Sequence, residues 1–380
     1  MSEPKVTLRE ASPIDSVELN RFYSSIPTTG FLEIKTKRQV DFFSLFHRLK
    51  KPFKTYLLEK ESTEILGTAS FILDEHEIQG QKKSIAYACD LRISSQRQAI
   101  LNWAQHFLPL LQKVKTENNV NHFLTSLNLT ENQVINAFLR PKSRKQVRPV
   151  YELVQKYNLI TIHGFYPLKF KKNKYVEINF LDKSEKAELT AYIKNKLVNL
   201  DLVDSNVQNN FEKYISDSLL YSWGQFLIAR NSEKQIVGCV YPLSSSLLQD
   251  YFPQNYNSQA NNFRQFLKMS SLLGFSRKLT KPFSRTNKQQ SLNFKMLHFF
   301  FFDHPDVMNN LIDKAYSESK NNEFLVYAHQ PENFQMRAPR GTIHTEIPYA
   351  LYEIHEPYFD PDSSIKNSIK KFIFLDGLWF

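Results

Sequence analysis

The sequence predicts a mixed α/β fold of two consecutive domains, each a mixed and mainly antiparallel sheet flanked by helices. Three observations support this prediction: β-rich runs are separated by short polar turns, longer segments carry apolar residues at helical spacing, and the order of these elements occurs twice. A chain of 380 residues is also long enough for two domains. The point at which the order starts again places the first domain at residues 1–163 and the second at residues 164–380.

The first half begins with a strand, VTLRE, that leads into a helix with Ser12 as its N-cap. Two β-rich runs, 53–60 and 64–73, flank the polar turn EST and predict a hairpin. A third strand, SIAYACDLRI, enters a long helix whose apolar residues recur at helical spacing: Ile100, Trp103, Phe107, Leu110 and Leu111. The half ends with a strand at 121–128, the helix TENQVINAFLR and a β-rich segment at 150–162.

The second half repeats this order. Residues 224–243 correspond to the hairpin, which places Gly238 opposite Gly67, and residues 293–302 correspond to the third strand. The segments HPDVMNNLIDKAYSES and EFLVYAHQ correspond to the long helix and to the strand that follows it. This half also carries an insertion at 244–292, rich in Ser, Asn and Gln with a basic end. An insertion of that length is either a functional lid or a mobile loop.

Composition excludes several kinds of site. The chain has nine glycines and no two lie within ten positions of each other, so neither a G-x-G-x-x-G turn nor a G-x-x-x-x-G-K-[ST] phosphate loop can form. The two cysteines, Cys89 and Cys239, lie in apolar stretches, which is typical of buried free thiols in a reducing compartment. No apolar leader precedes the first strand and no apolar run is long enough to span a bilayer, so we expect a soluble cytoplasmic protein.

The order of elements resembles that of the GNAT superfamily of acyl-CoA-dependent N-acyltransferases. The motifs that carry the resemblance are VTLREAS, EILGTASF, the DLRIS strand entering a helix at Ser94, and FLTSLNLTENQVINAF, in which a strand precedes Asn132, Asn136 and Ala137. The likeness covers roughly residues 6–162, whereas the second half matches mainly in element order and hydrophobic pattern. The resemblance implies two GNAT-like domains in tandem, the second one degenerate.

The resemblance also implies a donor site in the first half. In that family the pyrophosphate of acyl-CoA binds backbone amides at the start of the central helix, where orphan N–H groups and the helix dipole attract anions. The corresponding residues are Leu91, Arg92, Ile93, Ser94, Ser95, Gln96, Arg97, Gln98, Ala99 and Asn136. Arg97 takes the place of the family's basic lead residue, and both glycines of the family's loop are missing. The second half has two carboxylates and a proline at 303–307, so we expect no CoA there.

Asp90 is the candidate general base that the resemblance implies, because it lies near the end of the strand SIAYACDLRI, which corresponds to the family's fourth strand. Alternation along a strand places Asp90 and Arg92 on one face and Cys89 and Leu91 on the other. A second interpretation is therefore that Asp90 and Arg92 form an ion pair on a solvated face. The tyrosine with which the family protonates its leaving thiolate has no counterpart in the helix at 132–140.

The formal charge is +11, and basic residues cluster at 140–148, 169–174 and 277–288. Such clusters are often only solvated surface, but they also fit the 3′-phosphate of CoA or an RNA backbone. Phe165, Tyr166 and Phe170 lie in or beside the second cluster, as in an RNA stacking platform. The close pairs His298 with His304 and His344 with Glu346 lack the spacing of metal ligands, so we expect no metal.

Three functional hypotheses stay open from the sequence. The leading one is an N-acyltransferase that uses acetyl-CoA or another acyl-CoA, with an amine acceptor entering between the two copies. The second is a tRNA-dependent aminoacyl transferase of tandem GNAT type, which the basic clusters favour. The third is a catalytically inactive GNAT-fold binding module, which the missing glycines and tyrosine favour. Two fused copies can imitate the family's dimer, so a monomer is expected.

Overall fold

The computed structural model of the chain describes residues 6–60, 64–132, 135–139, 148–284 and 289–376. Its helices are α1 (Ser16–Ser25), α2 (Ser44–Leu49), α3 (Arg97–Asn118), α4 (Lys186–Leu197), α5 (Ser205–Asn209), α6 (Phe211–Asp217), α7 (Ser258–Leu272), α8 (Pro305–Ser317) and α9 (Ile365–Ser368). Its strands are β1 (Val6–Glu10), β2 (Leu32–Lys37), β3 (Phe53–Lys60), β4 (Glu64–Ile78), β5 (Gln81–Ile93), β6 (His122–Asn128), β7 (Val150–Phe165), β8 (Glu177–Phe180), β9 (Leu200–Asp201), β10 (Val203–Asp204), β11 (Leu227–Arg230), β12 (Ile236–Ser244), β13 (Asp250–Tyr256), β14 (Asn293–Phe302), β15 (Glu323–His329), β16 (Thr342–His355) and β17 (Phe372–Ile373). None of the helices in these described ranges is long and apolar enough to cross a bilayer.

A large, mainly antiparallel sheet flanked by helices confirms the predicted mixed α/β class. Its strands follow the order β1-β3-β4-β5-β6-β16-β7-β15-β14-β12-β11-β8. Parallel pairing joins β5 to β6 and β14 to β15, at corresponding places in the two halves of the sheet. We name β1 and β3–β6 with their helices the N-terminal lobe, and β8, β11, β12, β14 and β15 with theirs the C-terminal lobe.

The two lobes exchange their last long strands. Strand β7, from the first half of the chain, lies between β16 and β15, while β16, from the second half, lies against β6. The antiparallel pair of β7 and β16 runs from Thr342 opposite Phe165 to His355 opposite Val150. The boundary predicted at residue 163 falls inside β7. Each lobe therefore completes its sheet with a strand from the other half.

One long helix covers each lobe. In α3 the predicted inward residues Trp103, Phe107, Leu110 and Leu111 are buried as expected. Ile100 is 54% exposed, so its assignment to the apolar face is wrong. The buried Ala99 takes the core position of the first turn, because it lies four residues before Trp103 on the same side of the helix.

The paired glycines Gly67 and Gly238 lie where the helices press against their hairpins. A Cβ at Gly67 would lie 3.2 Å from Cε3 of Trp103 in α3. A Cβ at Gly238 would lie 2.8 Å from Cγ1 of Val307 in α8. A side chain at Gly238 would overlap α8, and one at Gly67 would crowd α3, so both glycines favour the close approach of helix and sheet.

The insertion after β12 reaches across to the other lobe. Its strand β13 pairs antiparallel with β2 of the N-terminal lobe, from Asp250 opposite Lys37 to Tyr256 opposite Leu32. Helix α7 follows directly, with the side chain of Asn257 accepting a hydrogen bond from the Ala260 amide (2.8 Å). The insertion thus forms ordered secondary structure that covers part of the first lobe.

We expect Gly238→Ala to lower the free energy of unfolding by about 1–3 kcal/mol, because the added methyl group overpacks the contact with α8. Gly224→Ala is the matched control, since a Cβ there meets nothing within 4 Å. Urea denaturation of both variants measures the difference. Equal midpoints for the two variants would contradict the close approach of α8.

Candidate active site

A gap opens in the N-terminal lobe where β5 and β6 diverge. The two strands pair in parallel from Ile85–His122 to Tyr87–Leu124, and then continue to Ile93 and Asn128 without further pairing. At the point of divergence, Oγ1 of Thr125 donates a hydrogen bond to the Ala88 carbonyl (3.0 Å). We name the gap between residues 88–93 and 125–128 the N-terminal cleft.

A β-bulge in β5 sets the direction of the side chains at the cleft. Thr68 pairs with Arg92 and Ser70 with Cys89, which leaves two residues of β5 opposite one of β4. Asp90 has a φ of 54°, in the left-handed region that Asp tolerates better than most residues. The extra residue shifts the alternation along the strand. Leu91 therefore packs into the α3 core on the same side as Ala88, while Cys89 packs into the opposite core.

The predicted placement of Cys89 and Leu91 on one face is consequently wrong. The predicted solvated ion pair between Asp90 and Arg92 is also wrong. Asp90 pairs with Arg38, whose Nη2 lies 2.7 and 2.8 Å from the two carboxylate oxygens. The two side chains are 0% and 1% exposed. Asn20 of α1 fixes the Arg38 backbone through hydrogen bonds to both its N–H (3.2 Å) and its carbonyl (3.1 Å).

A second carboxyl group, that of Glu131, lies at the mouth of the cleft. Burial raises its pKa to about 7, against the opposing effects of the Arg92 charge, the Thr29 amide and the Asn128 side chain. Arg92 itself stacks over the ring of Tyr23 at 4.9 Å. Sequence reasoning missed Glu131, because an acidic residue at the start of a helix is common and gives no sign of burial.

The loop before β2 closes on the Glu131 segment. Gly30 makes this approach possible: a Cβ there would lie 2.6 Å from Oγ1 of Thr130, and the φ of +145° favours glycine. The side chain of Asn128 accepts hydrogen bonds from the amide (2.9 Å) and the hydroxyl (2.8 Å) of Thr130, which fixes the turn after β6.

Two tyrosines from the second half of the chain reach the same region. Tyr251 of β13 lies close enough to Arg38 and Asp90 for both charges to act on its phenol, and burial raises its pKa to about 12. Tyr349 of β16 stands opposite Asn128, and burial raises its pKa well above the usual range. Both phenols therefore stay protonated at neutral pH. Burial also raises the pKa of the Cys89 thiol, so no thiolate nucleophile forms there.

The N-terminus of α3 follows the cleft and lacks a side-chain cap. Gln96 is its N-cap residue, but the Gln96 amide group instead donates to Oε1 of Glu64 (2.9 Å). The amides of Arg97, Gln98 and Ala99 form the first helical turn, where N–H groups have no intrahelical acceptor. The Ser94 amide is already bonded to the Leu66 carbonyl (2.8 Å).

The remaining predicted donor residues differ in exposure. Ser95, Gln96 and Arg97 are exposed, whereas Leu91, Arg92, Ile93 and Ser94 are half-buried. Asn136 is exposed in the short π-helical segment Ile135–Leu139. Phe138 in this segment packs on Tyr151, with ring centroids 5.4 Å apart. The described residues of the segment include no tyrosine, as expected.

The C-terminal lobe repeats the cleft and fills it. Strands β14 and β15 pair only from Asn293–Glu323 to Met296–Val326, and Phe299 has a φ of 48° at the bulge. The segment 372–376 lies against this gap: the side chain of Gln330 donates to the Ile373 carbonyl (2.7 Å) and accepts from its amide (3.0 Å). The Phe299 amide donates to the Asp376 carboxylate. A mainly apolar cavity of about 140 Å³ remains beside this segment.

The N-terminus of α8 is capped and acidic, unlike that of α3. His304 accepts a hydrogen bond from the Asp306 amide (3.2 Å). Asp303, the residue before this cap, pairs with Lys196 (2.5 Å). Negative side chains and an occupied amide both disfavour an anion at this position.

The two histidine pairs singled out in the sequence lie in separate parts of the structure. His344 lies 3.9 Å from Glu346, and His298 is buried with its Nδ1 2.8 Å from the Tyr221 hydroxyl. Glu152, Glu353 and His355 are close enough to hold a metal ion, but Glu353 already accepts hydrogen bonds from three groups: His122, Ser364 and the Ile365 amide.

Of the three aromatics of the second basic cluster, Tyr166 is exposed beneath Lys169, whereas the other two pack inward. Phe165 and Phe170 pack on each other with ring centroids 4.4 Å apart, and Phe165 also packs on Tyr316. The basic residues Arg140, Lys142, Arg144 and Lys145 lie outside the described residues.

We expect Arg38→Met to lower the free energy of unfolding by about 3–5 kcal/mol, because it leaves the buried Asp90 charge without its partner. Adding Asp90→Asn to this variant removes that charge and should restore part of the loss. Arg21→Met is the control, since the exposed Arg21–Glu18 pair is worth about 0.5 kcal/mol or less. Chemical denaturation of the wild type, these three variants and Asp90→Asn alone gives all five stabilities. Additive effects of the two buried substitutions would exclude a coupled pair.

Solved structures with the same architecture include N-myristoyltransferase of Saccharomyces cerevisiae with bound myristoyl-CoA. One such structure is 11% identical, with a TM-score of 0.51 over 97% of this chain and 90% of the other. A second is 10% identical, with a TM-score of 0.51 over 98% and 85%. A GCN5-related N-acetyltransferase from Sphaerobacter thermophilus is 8% identical, with a TM-score of 0.49 over 94% and 98%.

No protein-family model matches the sequence, and no curated protein matches it at a significant level. At these identities the likeness concerns the fold alone. The chain shares a two-lobed mixed α/β fold with the N-myristoyltransferase structures.

Proposed function

We propose that this protein is an acyl-CoA-dependent N-acyltransferase whose acyl donor binds in the N-terminal lobe. One observation carries the proposal: the bulged strand β5 diverges from β6 and leads into the uncapped N-terminus of α3. The corresponding gap in the C-terminal lobe is occupied by residues 372–376, and its helix is capped. The two GNAT-like copies, 1–163 and 164–380, thus have different roles.

The donor would place its pyrophosphate on the amides of Arg97, Gln98 and Ala99, with the Arg97 guanidinium as a further charge. The pantetheine arm would run along Leu91–Ile93, and the thioester would lie at the bulge. Ser94, Ser95, Gln96 and Asn136 would line the mouth. The absence of glycine makes close approach of a phosphate harder, so this site depends more on Arg97 than its counterparts in the family do.

The reaction forms a C–N bond and breaks the C–S bond of the thioester. Glu131 takes the proton that the attacking amine loses, and its pKa of about 7 suits a base at neutral pH. We propose Glu131 for this role instead of Asp90, because the Asp90 carboxylate is occupied by Arg38. The departing thiolate takes its proton from solvent, while the phenol of Tyr349 stays protonated and would donate a hydrogen bond to the sulfur. Backbone groups at the bulge hold the thioester carbonyl.

We expect calorimetric titration to show one acyl-CoA bound per chain, and Arg97→Ala to weaken binding at least about tenfold, or 1.4 kcal/mol. Acetyl-CoA and myristoyl-CoA are titrated in parallel, because the acyl chain length is open. Lys115→Ala, near the other end of α3, is the matched control.

If the titration detects no binding of either CoA thioester, the assignment of the donor site is wrong. Binding of bulk tRNA without CoA binding would favour the aminoacyl-transferase alternative. Absence of binding to both CoA thioesters and tRNA would favour the inactive binding module.

We expect Glu131→Gln to lower kcat by about 10²–10⁴ while leaving acyl-CoA affinity unchanged, because it removes the base and no donor contact. In the wild type kcat/KM should rise as pH passes about 7, since the base acts when deprotonated. CoA release with a panel of peptide α-amines, lysine side chains and polyamines measures the rate. Glu117→Gln, an exposed change at the far end of α3, is the control.

The same substitution has a stability signature that tests the buried carboxyl separately. The folded pKa of Glu131 is raised from 4.5 to about 7, so its ionisation opposes folding as pH rises through that window. Relative to the wild type, Glu131→Gln should therefore gain stability as pH rises from about 4.5 to 7, and keep that gain at higher pH. Unchanged kinetics together with this signature would leave Glu131 buried but not catalytic.

A further inference from the structure

Helix α7 of the insertion exposes an apolar stripe. Its inward side carries Leu267 and Ser270, which are buried. Its outward side carries Phe266, Met269 and Leu272, and Leu273 continues the stripe just past the helix end; they are 39%, 70%, 77% and 69% exposed. Spacings of three and four residues place all of them on one side. Exposed apolar residues that are contiguous, unlike those scattered singly, indicate a contact surface.

Two segments of the chain lack acidic residues: the one that contains this stripe, and one that includes the end of β7. Residues 251–302 contain eight Lys and Arg and no Asp or Glu, and residues 153–176 contain five Lys and no Asp or Glu. The net charge of these two segments is therefore +13, more than the +11 of the whole chain.

Backbone contacts join the two acid-free segments at the end of β7. The Phe165 amide donates to the Phe275 carbonyl (2.8 Å), and the Arg277 amide donates to the His163 carbonyl (2.9 Å). Leu273 lies two residues before Phe275, and Leu168, which is 97% exposed, lies three residues after Phe165. The end of α7 and the loop 166–175 therefore both lie beside the C-terminal end of β7. We name them together the basic-apolar face.

Several cations of this face are available. The described residues offer no carboxylate within ion-pair distance of the exposed Lys268, Lys278 or Lys281. Other cations are engaged. Lys172 pairs with Asp313 (2.9 Å), and Arg277 donates to the carbonyls of Tyr316, Ser319 and Glu323. Lys295 donates to the Glu318 carbonyl (3.3 Å), and Arg264 donates to the Asn261 side chain (3.0 Å).

We propose that the basic-apolar face docks on the surface of an anionic lipid bilayer. Leucine and methionine side chains between lysines are typical of helices that lie in the membrane interface, where apolar residues enter the acyl region and lysines meet lipid phosphates. A nucleic acid fits less well, because bases stack on aromatic rings, whereas the most exposed residues of the stripe are Met269, Leu272 and Leu273. A second copy of the chain also fits less well, because two positively charged faces would repel each other. The proposal does not depend on the acyltransferase assignment.

The experiment is flotation of the full chain with phosphatidylcholine vesicles, with and without phosphatidylserine. We expect binding to the anionic vesicles alone and release by added salt. Leu272→Ser with Leu273→Ser should weaken binding about tenfold or more, since it removes apolar insertion. Lys268→Glu with Lys278→Glu should do the same through charge.

Ile14→Ser with Val17→Ser is the matched control. These residues are 91% and 69% exposed but lie beside Glu10, Asp15 and Glu18, so the change should leave vesicle binding intact. Circular dichroism verifies that each variant folds. Failure to bind anionic vesicles overturns the proposal, as does equal loss in the control. Binding of tRNA in place of vesicles, or a dimer that the Leu272 variant dissociates, would assign the face to another partner.

Discussion

The antiparallel pair of β7 and β16 is the contact on which the rest of the molecule depends. Each strand comes from one half of the chain and lies beside a core strand of the other lobe, so the two sheets merge into one. A strand in this position buries both of its edges, and neither lobe can complete its ladder alone. The exchange also determines the chemistry of the N-terminal cleft, because β16 brings Tyr349 to the end of β6.

The two lobes share one backbone geometry but differ in what occupies the gap between their parallel strands. Both have a bulge with one residue at positive φ, at Asp90 and at Phe299, and both have a parallel pair that opens beyond it. Pairing geometry fixes the gap, whereas side chains decide what enters it. In the C-terminal lobe the Phe299 amide and Gln330 bind the segment 372–376, so the chain itself occupies the gap. In the N-terminal lobe an ionisable carboxyl, Glu131, stands at the mouth instead.

Local patterns predicted the fold class, the inward residues of α3 and the correspondence of Gly67 with Gly238, because periodicity and close packing leave a signal in neighbouring residues. They failed at Asp90, where one extra residue reverses the alternation of a strand. They also gave no sign of Arg38 as its partner, 52 positions away. Strand exchange and the pairing of β13 with β2 depend on register between distant segments, which no local spacing encodes.

The insertion links the proposed docking surface to the proposed site through a few residues. Strand β13 holds Tyr251 against the Arg38–Asp90 pair, and α7, with its exposed stripe, begins just after β13. A short connection between a strand and a helix leaves little freedom for one to move without the other. Docking of α7 on a bilayer would therefore orient the cover of the N-terminal cleft relative to the lipid surface. Such docking would matter most for a long-chain acyl-CoA, because a long acyl chain partitions into that surface whereas a short one stays in water.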